Sequence, residues 1–465
     1  MIKQIHLRKK GVIMLLSSHL SITEMIQRDF PCECGRTHLA SINYAAIGEG
    51  VLKELPGLLL KNSLQKSFIL CDSSTYAAAG KFIVNEMKNR GLPFVSYIIN
   101  EAEPVPDEKT LGELLIHMDH DCDHIIAVGS GTINDLSRFL SFRLGLPYII
   151  AATAPSMDGF ASNVAPLIVK HMKTTYEAHA PFAIFGDTSV LAKAPLLMIF
   201  AGIGDILGKY TCLCDWRVSH ILTGEYHCKI IEAIVKQSIE TVVSQLEHVK
   251  SGDPGAVENI MEALVLSGIA MSFSGNSRPA SGSEHHLSHY WEMVFLFNGK
   301  KPVLHGTKVG IGTIAVIRAY ELLLSRNIDF KRARELAKMY SFDDWKQKMR
   351  AAYGPASDSV IALEEKLGKN RTSDRLMRID LIEKHWDRLK EVIGQLPSAD
   401  TVYDYLSELG APATPMAVGI DKQTFLVSFA AAKELRNRFG LLQILYDLNL
   451  SEETAELVWD YFMNK

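Results

Sequence analysis

The sequence predicts an α/β domain with a parallel sheet, followed by a second domain that is all-helical. Three observations carry that prediction. Short apolar runs alternate with helix-length segments over roughly the first 190 residues, as in strand–helix–strand crossover units. Beyond about Pro195, long segments of 3.6-residue periodicity take over. The length of 465 residues exceeds what one hydrophobic core comfortably supports.

The elements follow in order. Ser67–Cys71, Phe94–Ile99, His124–Val128, Tyr148–Ala151 and Phe182–Phe185 read as strands. They are rich in Ile, Val, Phe and Tyr, and most are apolar on both faces, as strands buried in a parallel sheet are. Thr75–Arg90, Thr110–His120 and Ile133–Leu144 read as the helices between them. In the second half, Cys228–Lys250, Val257–Met271, His305–Ser325, Arg371–Gln395 and Lys422–Phe439 read as helices, with almost no β-rich run between them. The expected divisions are 1–28, an N-terminal extension of unknown role; 29–195, the α/β domain; and 196–465, the helical domain.

Hydrophobic residues make up 47% of the chain and charged residues 22%, ordinary for a folded globular protein. A net charge of −4 argues against the broad basic surface of a nucleic-acid binder, while leaving room for a local basic pocket around one phosphate. The N-terminal apolar run spans only Val12 to Leu16, too short for a signal-peptide core. No later stretch reaches the roughly 18 uncharged apolar residues of a membrane helix; the longest, Ala194 to Ile203, stops at Asp205. A cytoplasmic protein without membrane insertion is expected. The seven cysteines, at 32, 34, 71, 122, 212, 214 and 228, are too scattered for a disulfide framework. Cys32/Cys34 and Cys212/Cys214 invite a metal reading, and Cys32 to His38 is the better candidate. Structural zinc usually has two to four residues between paired ligands and a matching second pair, so Cys32–His38 is read as a Gly-containing turn.

His124 to Asp135 (HIIAVGSGTIND) is a strand, a Gly-rich turn and a helix start. Gly129 and Gly131 allow close backbone approach, and the helix N-terminus offers N–H groups and a positive dipole end to a pyrophosphate. It is neither a G-x-G-x-x-G fingerprint nor a Walker A loop; a purely structural turn is the alternative. Asp72 ends another strand, where a carboxylate either accepts hydrogen bonds from a ribose or caps a helix. Ile149 to Gly159 ends a third in small residues and hydroxyls. Open α/β sheets bind ligands at such carboxyl ends, and three of them together favour a dinucleotide.

The helical half carries Gly202-Ile-Gly-Asp205, then Ser281-Gly-Ser-Glu-His285-His286-Leu-Ser-His289, then Leu304-His305-Gly. A carboxylate in a largely apolar stretch must be paired, hydrogen-bonded or bound to a cation. His285 and His289 share one face of a helix. An Asp with two His and no thiolate leaves positions open for substrate, as in catalytic metal sites, and suits zinc, nickel or iron.

GSGTIND, TAPSMDGFAS, GIGDILGK, SGSEHHLSH and LHGTKVGIG resemble, in order, the motifs of the iron-type alcohol dehydrogenase superfamily. T-A-x-S-x-D-G-x-A-S and S-G-S-E-H-x-x-S-H look like those of the sn-glycerol-1-phosphate dehydrogenases, and C-E-C-G-R-x-H is similar to their bacterial branch. The resemblance implies a Rossmann-like nucleotide-binding domain, a helical domain and an active site in the cleft between them. By motif it implies Asp205, His285 and His305 as metal ligands, with His286 an additional candidate. Asp158, Asp205 and His289 are implied as substrate contacts, Asp205 and His289 as catalytic. For the dinucleotide it implies Gly129, Gly131, Thr132, Ile133, Asn134, Asp135, Thr153, Ala154, Pro155, Ser156 and Ser162, with Asp72 on the adenosine ribose. NAD(H) or NADP(H), one divalent ion (nickel or zinc), a small phosphorylated three-carbon substrate and a homodimer are the implied cofactors and partners. Asp72 would repel a 2′-phosphate, a lean toward NADH.

The expected reaction is reduction of dihydroxyacetone phosphate to sn-glycerol 1-phosphate. Ser277, Arg278 and Ser281 to Ser283 are candidates for the phosphate. A glycerol or other polyol dehydrogenase shares the scaffold; a dehydroquinate-synthase-like lyase and a catalytically inert binding protein are further alternatives.

Overall fold

The computed structural model describes residues 21–26, 29–101, 103–169 and 172–465. Among the described residues there are ten strands, numbered in chain order. β1 (Phe30–Pro31) and β2 (Thr37–His38) form a small antiparallel hairpin. β3 (Tyr44–Gly48), β4 (Ser67–Asp72), β5 (Phe94–Ile99), β6 (His124–Gly129), β7 (Tyr148–Ala152) and β10 (Ala183–Asp187) make a six-stranded sheet in the order β3-β10-β7-β6-β4-β5. Every pairing in it is parallel. β8 (Val164–Val169) and β9 (Met172–Glu177) form a separate antiparallel pair.

The five expected strands are all present. Their central members are buried on both faces: Ile69, Cys71, Ile126, Val128, Ile149, Ala151 and Phe185 join one cluster with Leu55, Leu59, Ile83 and Met87. Phe68, Leu70, Ile125, Ala127, Tyr148, Ile150 and Ile184 are equally inaccessible. Removing a large apolar side chain from water contributes roughly 1.5–3 kcal/mol, so the continuous apolar runs are what fix these strands at the centre. The edge strand β3 (YAAIG) is half-buried throughout, and its alanines give no β signal. The β8–β9 hairpin was likewise not expected.

The chain forms two compact units: residues up to 206 with 228–277, and 207–227 with 278–465. In place of the single expected cut between 195 and 196, the chain crosses three times. Helices Lys229–Lys250 and Pro254–Ser274 have the helical period expected of them, but pack with the sheet-bearing unit. In that unit a Cβ on Gly268 would come within 2.7 Å of Ala161, so Pro254–Ser274 sits close on the turn Gly159–Ala161. Periodicity identifies an element and not the core it joins. Of the extension expected at 1–28, residues 1–20 and 27–28 lie outside the described residues; Ile22–Ile26 is a short helix that buries Ile22 and Met25. Its Ser21 N–H donates to Glu24 Oε2 and the Glu24 N–H to Ser21 Oγ, a reciprocal cap.

Among its described residues the second unit has helices and no strand, from Lys209–Thr223 to Ser451–Met463. The helix expected over 422–439 stops at Ala431, continues as a 3-10 turn over Ala432–Leu435, and becomes extended at Arg436. A buried Lys433–Glu434 ion pair, joined by Asn370 and Lys369, occupies the turn. Two helical stretches, Leu196–Thr223 and Pro254–Ser274, are long and apolar enough to cross a membrane by composition alone. The sequence reading did not single them out as such, and 78% and 72% of their apolar windows are buried within the protein.

Candidate active site

From β4 the chain passes to β5 on one side, then to β6 on the other, so the sheet changes direction between β4 and β6. Ligands of open α/β sheets bind outside the carboxyl ends at this point. Asp72 ends β4 and Gly129 ends β6, so two of the expected nucleotide motifs flank the crevice. Helix Gly131–Leu144 starts there with no side chain capping its N-terminus, which leaves its first N–H groups and dipole end to an anion. Gly131 has only Met157 at 3.9 Å from a would-be Cβ, so the backbone is open to close approach.

The neighbouring residues divide by what they already hold. A Cβ on Gly129 would meet Ile133 Cβ at 2.5 Å; this glycine seats the helix on the strand, and Ile133 is buried beneath it. The Ser130 and Ser156 hydroxyls are 2.5 Å apart, and the Thr153 N–H donates to the Gly129 carbonyl at 3.0 Å, which ties two strand ends together. Asp135 accepts from Arg138 at 2.7 Å, and Arg138 also donates to Tyr148 and to the carbonyls of Val164 and Gly159. Asn134 donates to the Gly159 carbonyl at 3.3 Å. Ser162 Oγ serves Val164 locally. Thr132 is half-buried in the first helical turn, and Ala154 and Pro155 are buried. Asp72 caps the next turn, accepting from the Thr75 N–H through Oδ1 at 2.8 Å while its own N–H donates to Thr75 Oγ1. Capping occupies Oδ1 and, among the described residues, Oδ2 accepts no hydrogen bond, so capping and ribose contact are compatible.

In the same unit, Asp205 is fully buried near the end of the very apolar helix Leu196–Leu207. Its Oδ2 accepts from the Asp158 N–H at 3.0 Å, and Ser267 Oγ donates to Asp158 Oδ2 at 2.9 Å. Gly202 is required: a Cβ there would fall 2.0 Å from the Pro155 carbonyl oxygen. The two expected acidic residues are thus held side by side.

In the other unit, helix Ser283–Phe297 carries His285 and His289, and His305 begins helix His305–Ser325. Their ring centroids lie 5.2 to 6.0 Å apart, so the three imidazoles converge. His285 Nδ1 is 2.7 Å from Glu284 Oε1, which orients the ring and leaves Nε2 for a ligand. Glu284 also accepts from Thr211 Oγ1 and the Gly282 N–H, each at 2.6 Å. Burial alone would raise its carboxyl; these partners, His285 foremost, hold it below the usual range. The motif start is pinned by Asp215, which accepts from Ser283 N–H and Oγ, Tyr320 and the Leu441 N–H. Glu284 was not singled out in the sequence, although it stands beside His285.

His286 points elsewhere. Burial, with Arg438, Arg436, Arg278 and Lys369 around it, pushes its imidazolium well below the ordinary range. Burial, and to a lesser degree the neighbouring Arg436 and Arg278, bring Arg438 down to about 9. Arg278, the expected phosphate contact, braces the fold instead: it is 2% exposed, donates to the carbonyls of Asp215 and Phe439, and pairs with Glu225 at 3.1 Å. Arg436 and Arg438 were not singled out in the sequence, because nothing local marks them.

A family model described as iron-containing alcohol dehydrogenase matches residues 46–195. Among solved structures the chain is similar to a probable glycerol dehydrogenase from Sinorhizobium meliloti, with a TM-score of 0.59, 16% identity, and 91% of this chain and 98% of that chain covered. It is similar too to an alcohol dehydrogenase from Oenococcus oeni (TM-score 0.60, 17% identity, 90% and 98% covered). At such identities the likeness speaks for the fold. Fold and motifs define a nucleotide-dependent oxidoreductase. A glycerol-1-phosphate dehydrogenase of Geobacillus stearothermophilus, named as NAD(P)+-dependent, is 33% identical over 434 residues, which is 92% of this chain and 98% of that protein. One from Bacillus velezensis is 40% identical over 303 residues, 64% and 77% of the two chains. The chain belongs to the glycerol-1-phosphate dehydrogenase family.

Proposed function

We propose that the protein reversibly reduces dihydroxyacetone phosphate to sn-glycerol 1-phosphate with NAD(P)H, and that Asp205, His285 and His305 hold one divalent ion, nickel or zinc. The observation that carries the reading is the convergent His285, His289 and His305 set, with His285 oriented by Glu284, in a chain whose near-full-length relatives bear that enzyme name. The residues fit such an ion. Glu284 secures Nδ1 of His285 and presents the other nitrogen, and Asp205 adds a carboxylate fixed by the Asp158 N–H. When bound, the ion supplies Lewis acidity at the carbonyl being reduced and the nicotinamide supplies hydride.

The chain's own residues do the remainder. The uncapped N-terminus of helix Gly131–Leu144 receives the pyrophosphate, and Asp72 Oδ2 accepts from the ribose, which favours NADH over NADPH. Asp158, braced by Ser267, orients the substrate hydroxyl. His289, one helical turn from His285, donates the proton to the oxygen that becomes the alcohol in the reductive direction. Arg436 and Arg438 balance the substrate phosphate, whose negative charge relieves their mutual repulsion.

Dehydrogenases of unphosphorylated glycerol share the scaffold, and the crowded Arg436–Arg438 region favours a phosphorylated substrate over them. Relative kcat/KM for dihydroxyacetone phosphate and dihydroxyacetone tests the choice. Wild type is expected to prefer the phosphate ester, and Arg438→Gln to lose at least about tenfold on it alone, the 1.4 kcal/mol or more of a charged hydrogen bond. Equal loss on both substrates would remove Arg438 from phosphate recognition; equal activity of wild type on both would favour the polyol reading.

A further inference from the structure

Cys32, Cys34, His38 and Cys228 meet at one point of the sheet-bearing unit, with one ligand-type atom of each within 4.8 Å of all the others. The first three come from the β1–β2 hairpin. Its turn is closed by the Cys32 N–H donating to the Arg36 carbonyl at 2.9 Å and the Gly35 N–H to the Cys32 carbonyl at 3.1 Å. Gly35 takes φ +85°, a left-handed conformation suited to glycine. This knuckle brings both thiols to one side. Cys228 arrives from 190 residues beyond His38 as the N-cap of helix Lys229–Lys250, and it is 1% exposed.

His38 is buried, stacks on Phe273 with ring centroids 5.3 Å apart, and has Nδ1 3.1 Å from the Phe273 carbonyl oxygen. A carbonyl only accepts, so Nδ1 donates, and in the neutral ring Nε2 keeps its lone pair. Nε2 faces the thiols, 3.5 Å from Cys34 Sγ and 3.4 Å from Cys228 Sγ, and Cys32 Sγ is 3.6 Å from Cys228 Sγ. A tetrahedron with zinc–sulfur bonds of about 2.3 Å and a zinc–nitrogen bond of about 2.05 Å has S···S edges near 3.8 Å and S···N edges near 3.6 Å. The three measured edges match this within about 0.2 Å. A disulfide would need about 2.05 Å between sulfurs.

We propose that Cys32, Cys34, His38 and Cys228 form a four-ligand zinc site, separate from the residues of the oxidoreductase reaction, that fastens the N-terminal hairpin to helices Lys229–Lys250 and Pro254–Ser274. Its thiolate-rich donor set is closed: four protein ligands leave no position for substrate. The carbonyl that orients His38 is the outer support such ligands need. Phe273 lies on the same helix as Ser267, whose hydroxyl holds Asp158, so the site anchors a helix that also positions a proposed substrate residue.

The test uses the full chain, grown with zinc and purified under reducing conditions, together with Asp205→Asn and Cys228→Ser. Metal analysis is expected to find zinc retained by Asp205→Asn at one equivalent per chain, and that equivalent lost from Cys228→Ser. Cobalt substitution of Asp205→Asn, which needs no cysteine variant to fold, is expected to give near-ultraviolet thiolate charge-transfer bands. A proposed catalytic ion held by Asp and His gives none, so this readout is independent of the oxidoreductase reading. Asp205→Asn without zinc and without thiolate–cobalt bands would overturn the site.

Discussion

Two groups of side chains suited to holding a metal ion differ in almost every respect. The Cys32–Cys34–His38–Cys228 group is rich in thiols, complete with four ligands and contained in one unit. The histidines at 285, 289 and 305 are drawn from two helices of the other unit, with a buried carboxylate, Glu284, behind one of them. Closed thiolate sets hold structure, whereas sets with few ligands and open positions do chemistry. The difference teaches that ligand type and completeness separate the two roles better than burial does, since most of these residues are buried or half-buried alike.

The contrast breaks most sharply under substitution. Asp205→Asn is expected to lower turnover by at least about a hundredfold, the scale of losing electrostatic support at developing charge, while the thiol-bound zinc is retained. Steady-state kinetics beside metal analysis check this; unchanged kcat would remove Asp205 from the proposed reaction. Cys228→Ser should do the reverse. Losing an ion present at a thousand times its Kd costs about 4 kcal/mol of stability, so a clear fall in Tm is expected, and an unchanged Tm would argue that the cysteine group bears no metal. Glu284→Gln is the smaller test, since it acts through His285. A loss of about 10- to 100-fold in nickel affinity is expected, with activity recovered at high nickel and by Glu284→Asp. A purely structural role for Glu284 would lower Tm without moving the nickel dependence.

The parts of this arrangement that were legible in the sequence were those written locally. The central strands β4, β6, β7 and β10 are apolar on both faces and read as a buried parallel sheet. His285 and His289 lie one turn apart, and His305 begins the next helix. What could not be read is set by distance along the chain. Cys228 joins the hairpin thiols from far away, and a lone cysteine before a helix gives no sign of it. Arg436 and Arg438 approach His286 from about 150 residues downstream. Helices Lys229–Lys250 and Pro254–Ser274 were recognised as helices but assigned to the wrong unit, because an apolar stripe does not name its partner. Gly129 was read as making room for a ligand; the contact that forbids a side chain there is Ile133, in the helix that follows the strand.

The most direct test of the central reading is NADH oxidation by dihydroxyacetone phosphate on chelator-treated enzyme, before and after reloading with nickel or zinc, with the enantiomer of the product determined. The account predicts negligible turnover in the stripped enzyme, recovery on reloading, and sn-glycerol 1-phosphate as product. Full activity without added metal, or formation of the sn-3 enantiomer, would contradict it.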